Sequence, residues 1–215
     1  MAYTMSVVIL ANSVKQGGYC VAGKDIRTGQ WIRPVSTPIG GALHRQKLMV
    51  KNPYGRFVAK PLQIVDMAFE RPAPLPTQPE NHLLATETWI QHFKAQRDQL
   101  RKAMDNPEHL WMHGNRSDRF PLAALKSTKR HQSLYLVYAN EIQFCIDTNC
   151  HSRKKVIGTF RYKGETYSMG VTDPAYFKYT KLDVGYEWEE RGHYLCVSQT
   201  DAFHGYCYKV IAAIL

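Results

Sequence analysis

The chain has 215 residues, 44% of them hydrophobic and 12% aromatic; this is enough for a packed core and excludes a disordered chain. Lys plus Arg number 28 against 18 Asp plus Glu, a formal net charge of +10, which favours a polyanionic partner, nucleic acid or an anionic membrane surface. A basic soluble protein without such a partner is the plain alternative.

No segment approaches the roughly 20 consecutive apolar residues that a spanning helix needs. The early run "VVILA" is too short for the core of a signal peptide and has no basic region before it. The expectation is a cytoplasmic protein with no membrane partner. The five cysteines, Cys20, Cys145, Cys150, Cys196 and Cys207, are odd in number and irregular in spacing, so a disulfide framework is not expected. Cys145, Cys150 and His151 lie close together, but the paired spacings of a zinc site are missing. In a strand His193 and Cys196 would point to opposite faces. No metal and no cofactor are expected.

In chain order, "SVVILAN" (6–12) is a β-branched and aliphatic run, the pattern of a strand buried on both faces. "YCVAGKDI" and "QWIRPVS" read as extended segments joined through "RTG", with Gly29 suited to a hairpin turn. "GRFVAKPLQIVDMAFE" supplies one or two further strands, with Pro61 confined to an edge, a bulge or a strand start. "RPAPLPTQPE" (71–80) carries four prolines in ten residues and reads as a stiff connector. A helix is predicted over 86–104, with Trp89, Phe93, Leu100 and Met104 on its buried stripe and Lys94, Arg97 and Arg101 beside it. "FPLAALKS" adds a short helix. The chain then returns to strands: "SLYLVYA" and "EIQFCIDT" around Asn140, a hairpin in "VIGTFRYKGETYSMGVTDP" turning at Lys163–Gly164, then "HYLCVSQT" and "GYCYKVIAAIL". The fold class expected is α+β, mainly β. It comprises an N-terminal small barrel (1–70), a Pro-rich connector with a helical segment (71–132) and a C-terminal small barrel (133–215), forming one compact unit.

Three stretches, "LANSVKQGGYCVAGKD" running on to "GQWIRPVS", then "GVTDPAY", then the terminal "GYCYKVIAAIL", together resemble the dual OB-containing domain family of prokaryotic proteins. The matching positions are Asn12, Ser13, Gly18, Cys20, Gly23, Trp31, Arg33, Pro34, Asp173, Pro174, Tyr206 and Cys207. The resemblance spans both ends of the chain and is weakest from about 72 to 131. It implies two OB-like barrels and a role in nucleic-acid-related defence in prokaryotic conflict systems. It implies no catalytic set.

OB barrels bind single strands by combining a basic groove with aromatic stacking platforms. Here 13 tyrosines, 4 tryptophans and the basic clusters "STKRH" and "HSRKK" supply the materials. In a strand Trp31 and Arg33 share a face, where an indole and a guanidinium could stack a base and pair with a phosphate. Asn12, Ser13, Lys15 and Tyr19 surround the first inter-strand loop, where Gly17–Gly18 would admit a ligand to the backbone. With Asp173 and Tyr206 they form the candidate binding set. Each has a plainer use: Trp31 as core, Arg33 paired with a carboxylate such as Asp25, Asn12 as a turn former, Asp173 before Pro174 starting a turn.

No HExxH, GxSxG or zinc-deaminase arrangement occurs, and Cys20 has no local catalytic partner. The expected function is binding of nucleic acid, single-stranded DNA or RNA by preference, in prokaryotic defence or repair. Two alternatives stay open. One is a nucleic-acid-processing or base-modifying enzyme with Asp173 and Lys15 or Arg33 between the halves. The other is an interaction module that recruits an effector protein.

Overall fold

The computed structural model describes residues 2–15, 17–111, 118–127, 132–148 and 152–215, with the backbone alone at Lys15, Lys126 and Ser127. The chain divides into two compact units, Met1–Ala103 and Met104–Leu215.

In the first unit, β1 (Tyr3–Lys15) pairs antiparallel with β2 (Gly18–Asp25), and β2 with β3 (Trp31–Val35). Three strands, β4 (Met49–Asn52), β5 (Gly55–Val58) and β6 (Gln63–Pro72), precede β7 (Asn81–Leu84). β3 pairs parallel with β7, β7 antiparallel with β6, and β6 antiparallel with β1, which closes a five-strand ring. β1 can serve two neighbours because its first half, Tyr3 to Val8, faces β6 while its second half faces β2, with a register shift between Ile9 and Ala11. Gly23 makes this bend possible: a Cβ there would lie 2.1 Å from the Val8 carbonyl oxygen. Inside the ring, Val7, Ile9, Val21, Ile32, Val65, Met67 and Phe69 form the core. β8 (Trp89–Lys94) pairs with both β6 and β4, so β8, β4 and β5 extend the sheet beyond the ring.

The second unit repeats the plan. The short β9 (Arg119–Pro121) comes first in the chain. It is followed by β10 (Leu134–Thr148), β11 (Lys154–Tyr162), β12 (Glu165–Val171), β13 (Glu187–Gln199) and β14 (Tyr206–Ile214). β10–β11, β11–β12, β10–β13 and β13–β14 are antiparallel, and β12 meets β14 in parallel to close the ring. β9 lines the outer edge of β14. Numbered along the chain, the ring strands of both units follow the order first, second, third, fifth, fourth and back to first. In both, third and fifth are parallel. This is the Greek-key closure of an OB barrel.

The expected hairpins form. Asp25 Oδ1 accepts from the N–H groups of Arg27 and Thr28 to set the first turn. Lys163 and Gly164, at φ 47° and 84°, make the second. The two stretches flanking Asn140 are one 15-residue strand. The predicted helix over 86–104 is corrected: residues Trp89–Lys94 form β8, followed by a 3-10 turn at Arg97–Gln99 and a single α turn at Leu100–Ala103. The apolar spacing also fits a helix stripe, but pairing with β6 and β4 selects the strand, and a shift in the β6 register leaves Trp89 buried and Phe93 exposed on the opposite face. "FPLAALKS" carries a 3-10 helix at Leu122–Ser127. The proline-rich stretch lies within the first unit as the connection from β6 to β7, with Thr77, Gln78 and Glu80 buried, and the boundary expected at residue 70 falls inside β6.

Candidate functional site

The opening stretch is built into the first barrel. Asn12 Nδ2 donates to the Ala59 carbonyl at 2.9 Å, and Ser13 Oγ to the Cys20 carbonyl at 3.4 Å. Lys15 ends β1 opposite Gly18. Tyr19 is half-buried, and its backbone exchanges two hydrogen bonds with Leu43. Trp31 and Arg33 share a face as strand geometry requires, but they are only 7% and 3% exposed. Lys24 Nζ stands 5.1 Å from the centroid of the Trp31 ring and donates to the Ala103 carbonyl at 2.8 Å.

Arg33 meets a carboxylate, but it is Glu80 and not Asp25. Its Nε and Nη2 lie 3.0 and 2.9 Å from Glu80 Oε1, and Nη1 donates to Cys20 Sγ at 3.2 Å. Both side chains of the ion pair are almost fully enclosed. The guanidinium that the sequence offered to a phosphate is thus neutralised in a buried site on the face of β3 opposite Ile32 and the ring core, by a residue from the proline-rich segment.

Asp173 is structural as well. It caps the 3-10 helix at Pro174–Lys181, accepting from Ala175 N–H at 2.9 Å and from Ile214 N–H at 3.0 Å. Burial raises its carboxyl above the usual range.

Tyr206 has a different setting. Period-two alternation in β14 turns Cys207 into the core and sends Tyr206 and Tyr208 outward. Register with β9 sets Arg119 opposite Tyr208. The Arg119 guanidinium lies 5.2 Å from the Tyr206 ring centroid and 5.7 Å from that of Tyr208, and its Nη1 donates to the Tyr208 hydroxyl at 3.3 Å. In the adjoining loop between β13 and β14, Phe203 packs against His204 with centroids 4.2 Å apart. Phe203 is 55% and Tyr206 41% exposed. Sequence reasoning found Tyr206 and missed Arg119, Phe203, His204 and Tyr208. The Tyr-Cys-Tyr alternation was the available signal; nothing local announced that β9 would dock beside it.

Apart from Ile157, the outward side chains of β11 and β12 are polar or cationic: Lys155, Thr159, Arg161, Thr166 and Ser168, all at least partly exposed. A shallow groove of ≈ 480 Å³ includes Glu141, Gln143, Thr159, Arg161 and Thr166 in its lining, with Glu141 3.6 Å from Arg191. On the far side of β10, the outward row of β13 adds Glu187 and Glu189, next to Gln143 and Cys145 in a second groove of ≈ 370 Å³. Among the described residues no group of three or more His, Cys, Asp or Glu is placed to hold a metal. Cys150, His151 and most of the basic cluster "STKRH" lie outside the described residues, and "HSRKK" is described from Ser152 onward. No helix among the described residues is long and apolar enough to cross a membrane.

The family model for the dual OB-containing domain matches residues 5–214. The chain belongs to the dual OB-containing domain family. The match takes in both rings, so the twin closure seen here is what the family description names. No curated protein matches the chain. Among solved structures, it is similar to "Crystal structure of Ifi202 HINa domain in complex with 20bp dsDNA" at 11% identity, covering 98% of this chain and 94% of that one, TM-score 0.32. A second, "Structural mimicry for functional antagonism", stands at 10% identity, 96% and 87% coverage, TM-score 0.25. Both scores are too low for either likeness to assign a ligand.

Proposed function

We propose that this protein binds single-stranded nucleic acid on the outer surface of its second barrel. The observation that carries this reading is the exposed ring-and-guanidinium cluster at the loop between its fourth and fifth ring strands. There Phe203, His204 and Tyr206 present π faces beside Arg119. The strand 2–3 face and the 4–5 loop are where OB barrels take oligonucleotides. Base stacking on such rings contributes about 1–3 kcal/mol per base and needs bases whose faces are free. A duplex hides those faces, so the rings favour an unpaired strand. The excess of ten positive charges adds the counterion-release term. Beyond β10 Glu187 disfavours phosphate, while Glu189 is paired with Arg191 at 2.6 Å; the backbone path in this reading runs on the β11–β12 side, past Lys155 and Arg161. Action in prokaryotic defence or nucleic-acid repair is part of this reading, as the setting implied by the family likeness.

Anisotropy titrations with labelled single-stranded and duplex DNA and RNA, across a salt series, test it. Phe203→Ala with Tyr206→Ala should cost about 1–3 kcal/mol per stacked base with the salt slope little changed. Arg119→Ala should flatten the slope by roughly 0.7 for one lost phosphate contact. Absence of binding, or duplex bound as tightly as single strand, overturns the proposal.

A further inference from the structure

We propose that the three-strand extension of the first unit, β8–β4–β5, is a second contact surface for single-stranded nucleic acid, separate from either ring. The inference rests on the single-strand reading above.

The first ground is charge. Residues 45–60 hold five cations, Arg45, Lys47, Lys51, Arg56 and Lys60, and no Asp or Glu; the carboxylate-free stretch runs from Ile26 to Val65. All five are exposed, and none is in an ion pair among the described residues. The nearest acids are spoken for or peripheral. Asp66 accepts from Ser6 and bonds His92 at 2.7 Å, and Glu87, before the start of β8 and next to Thr88, is exposed and in no ion pair among the described residues.

The second ground is geometry. In the β4–β5 hairpin Lys51 stands directly opposite Arg56. Like charges facing each other across a ladder are unfavourable, and among the described residues no carboxylate pairs with either cation. The one hydrogen bond described for the Arg56 guanidinium is neutral, from Nη2 to Thr88 Oγ1 at 3.1 Å. A phosphate between the two cations would replace repulsion with two charge-assisted bonds. The parallel register with β8 puts Ile90 beside Lys51, and the residue skipped in the register of β8 with β6 brings Phe93 to the same face.

The third ground is the tip. Tyr54 is 89% exposed, with its backbone N–H fixed by Asn52 Oδ1 at 2.9 Å, so the turn is ordered while the ring stands in solvent. Phe93 is also widely exposed. Cations alone would suit any polyanion. Cations interleaved with exposed rings suit a chain that offers phosphates and bases together, which favours single-stranded nucleic acid over an acidic peptide.

The full-length protein is titrated with a labelled oligothymidylate and an oligouridylate across a salt series. The double variant Lys51→Ala/Arg56→Ala, Tyr54→Ala and the second-barrel variant Arg119→Ala/Tyr206→Ala are compared. All these side chains are exposed, and thermal melts should match wild type. The expected result is a log-affinity against log-salt slope flattened by about 1.4 in the double variant, twice the roughly 0.7 of one contact. Tyr54→Ala should lose about 5- to 150-fold in affinity with an unchanged slope. Wild-type protein that binds neither oligonucleotide sinks the single-strand reading itself. Binding that the second-barrel variant weakens, while the double variant keeps the wild-type slope, overturns this inference alone. Polyglutamate displacing the oligonucleotide as well as unlabelled single strand does also overturns it, since the surface would then be a general polyanion contact.

Discussion

The two barrels have the same strand order and use their second and third strands in opposite ways. In the first, β2 and β3 turn their polar side chains to internal work: Arg33 is locked to Glu80, and Lys24 spans the Trp31 ring to a carbonyl. In the second, β11 and β12 alternate cleanly, with Val156, Phe160, Tyr167 and Met169 inside and Thr159, Arg161, Thr166 and Ser168 outside. Topology fixes where a binding face can be. Whether that face is open depends on the partners that reach each charged side chain, which strand order does not specify.

The strongest way to break the comparison is to remove one member of the buried ion pair. Arg33→Ala or Glu80→Ala leaves an uncompensated charge in an enclosed site, and either should cost about 3–5 kcal/mol in urea unfolding. A loss under 1 kcal/mol would mean that the pair is solvated, and the first barrel's face would then be available after all.

The strand-two glycines sharpen the comparison next. A Cβ at Gly23 would strike the Val8 backbone, which cannot yield; at Gly158 it would meet the Ile211 and Ile142 Cδ1 atoms at 2.7 and 3.1 Å, which can rotate away. Gly23→Ala should reach or exceed the top of the roughly 1–3 kcal/mol range for overpacking, and Gly158→Ala should fall near its bottom. Equal losses in chemical denaturation would show that both rings are equally tight at this strand.

The barrels should also differ in pH response. In the first, burial lowers His82 below its ordinary 6.5. The unfolded chain then binds the extra proton first, and stability falls as pH drops through 6.5. In the second, burial lowers Lys209 from 10.5 to about 8. The unfolded chain holds that proton longer, so stability climbs with pH from 8 upward. Cys207, raised from 9 to about 11 by burial, acts in the opposite sense above pH 9, and the buried Tyr162, Tyr167 and Tyr176, all raised by burial, add to the decline above 10. Denaturation followed from pH 7 to 10.5 should show a maximum near pH 9, with a gain from 8 to 9 of up to about 1.4 kcal/mol. A steady fall from pH 8 would contradict the Lys209 assignment.

The smallest effect completes the comparison. Arg161→Ala, on the open face, should alter stability by less than about 0.5 kcal/mol in the same assay. Set against Arg33→Ala, it measures the difference between the two faces with one residue type.

Much of the fold was legible in the sequence because strands and turns are written locally. The β-branched run around Val7 to Ala11, the Asp25–Gly29 turn and the Lys163–Gly164 turn each carry their instruction within a few residues. The net charge and the twin-barrel family likeness also came from sequence alone. What tertiary structure decided is everything that depends on a distant partner. β8 is a strand because β6 and β4 accept it, although Trp89, Phe93 and Leu100 also fit a helix stripe. Arg33 is internal because Glu80, 47 positions later, arrives beside it. Tyr206 became part of a cluster because β9 carries Arg119 across from 87 residues earlier, a juxtaposition no window of local sequence contains. A hydrogen-bond register or a buried charge pair is set by which chain segments meet, and that is a property of the closed ring and not of any one strand.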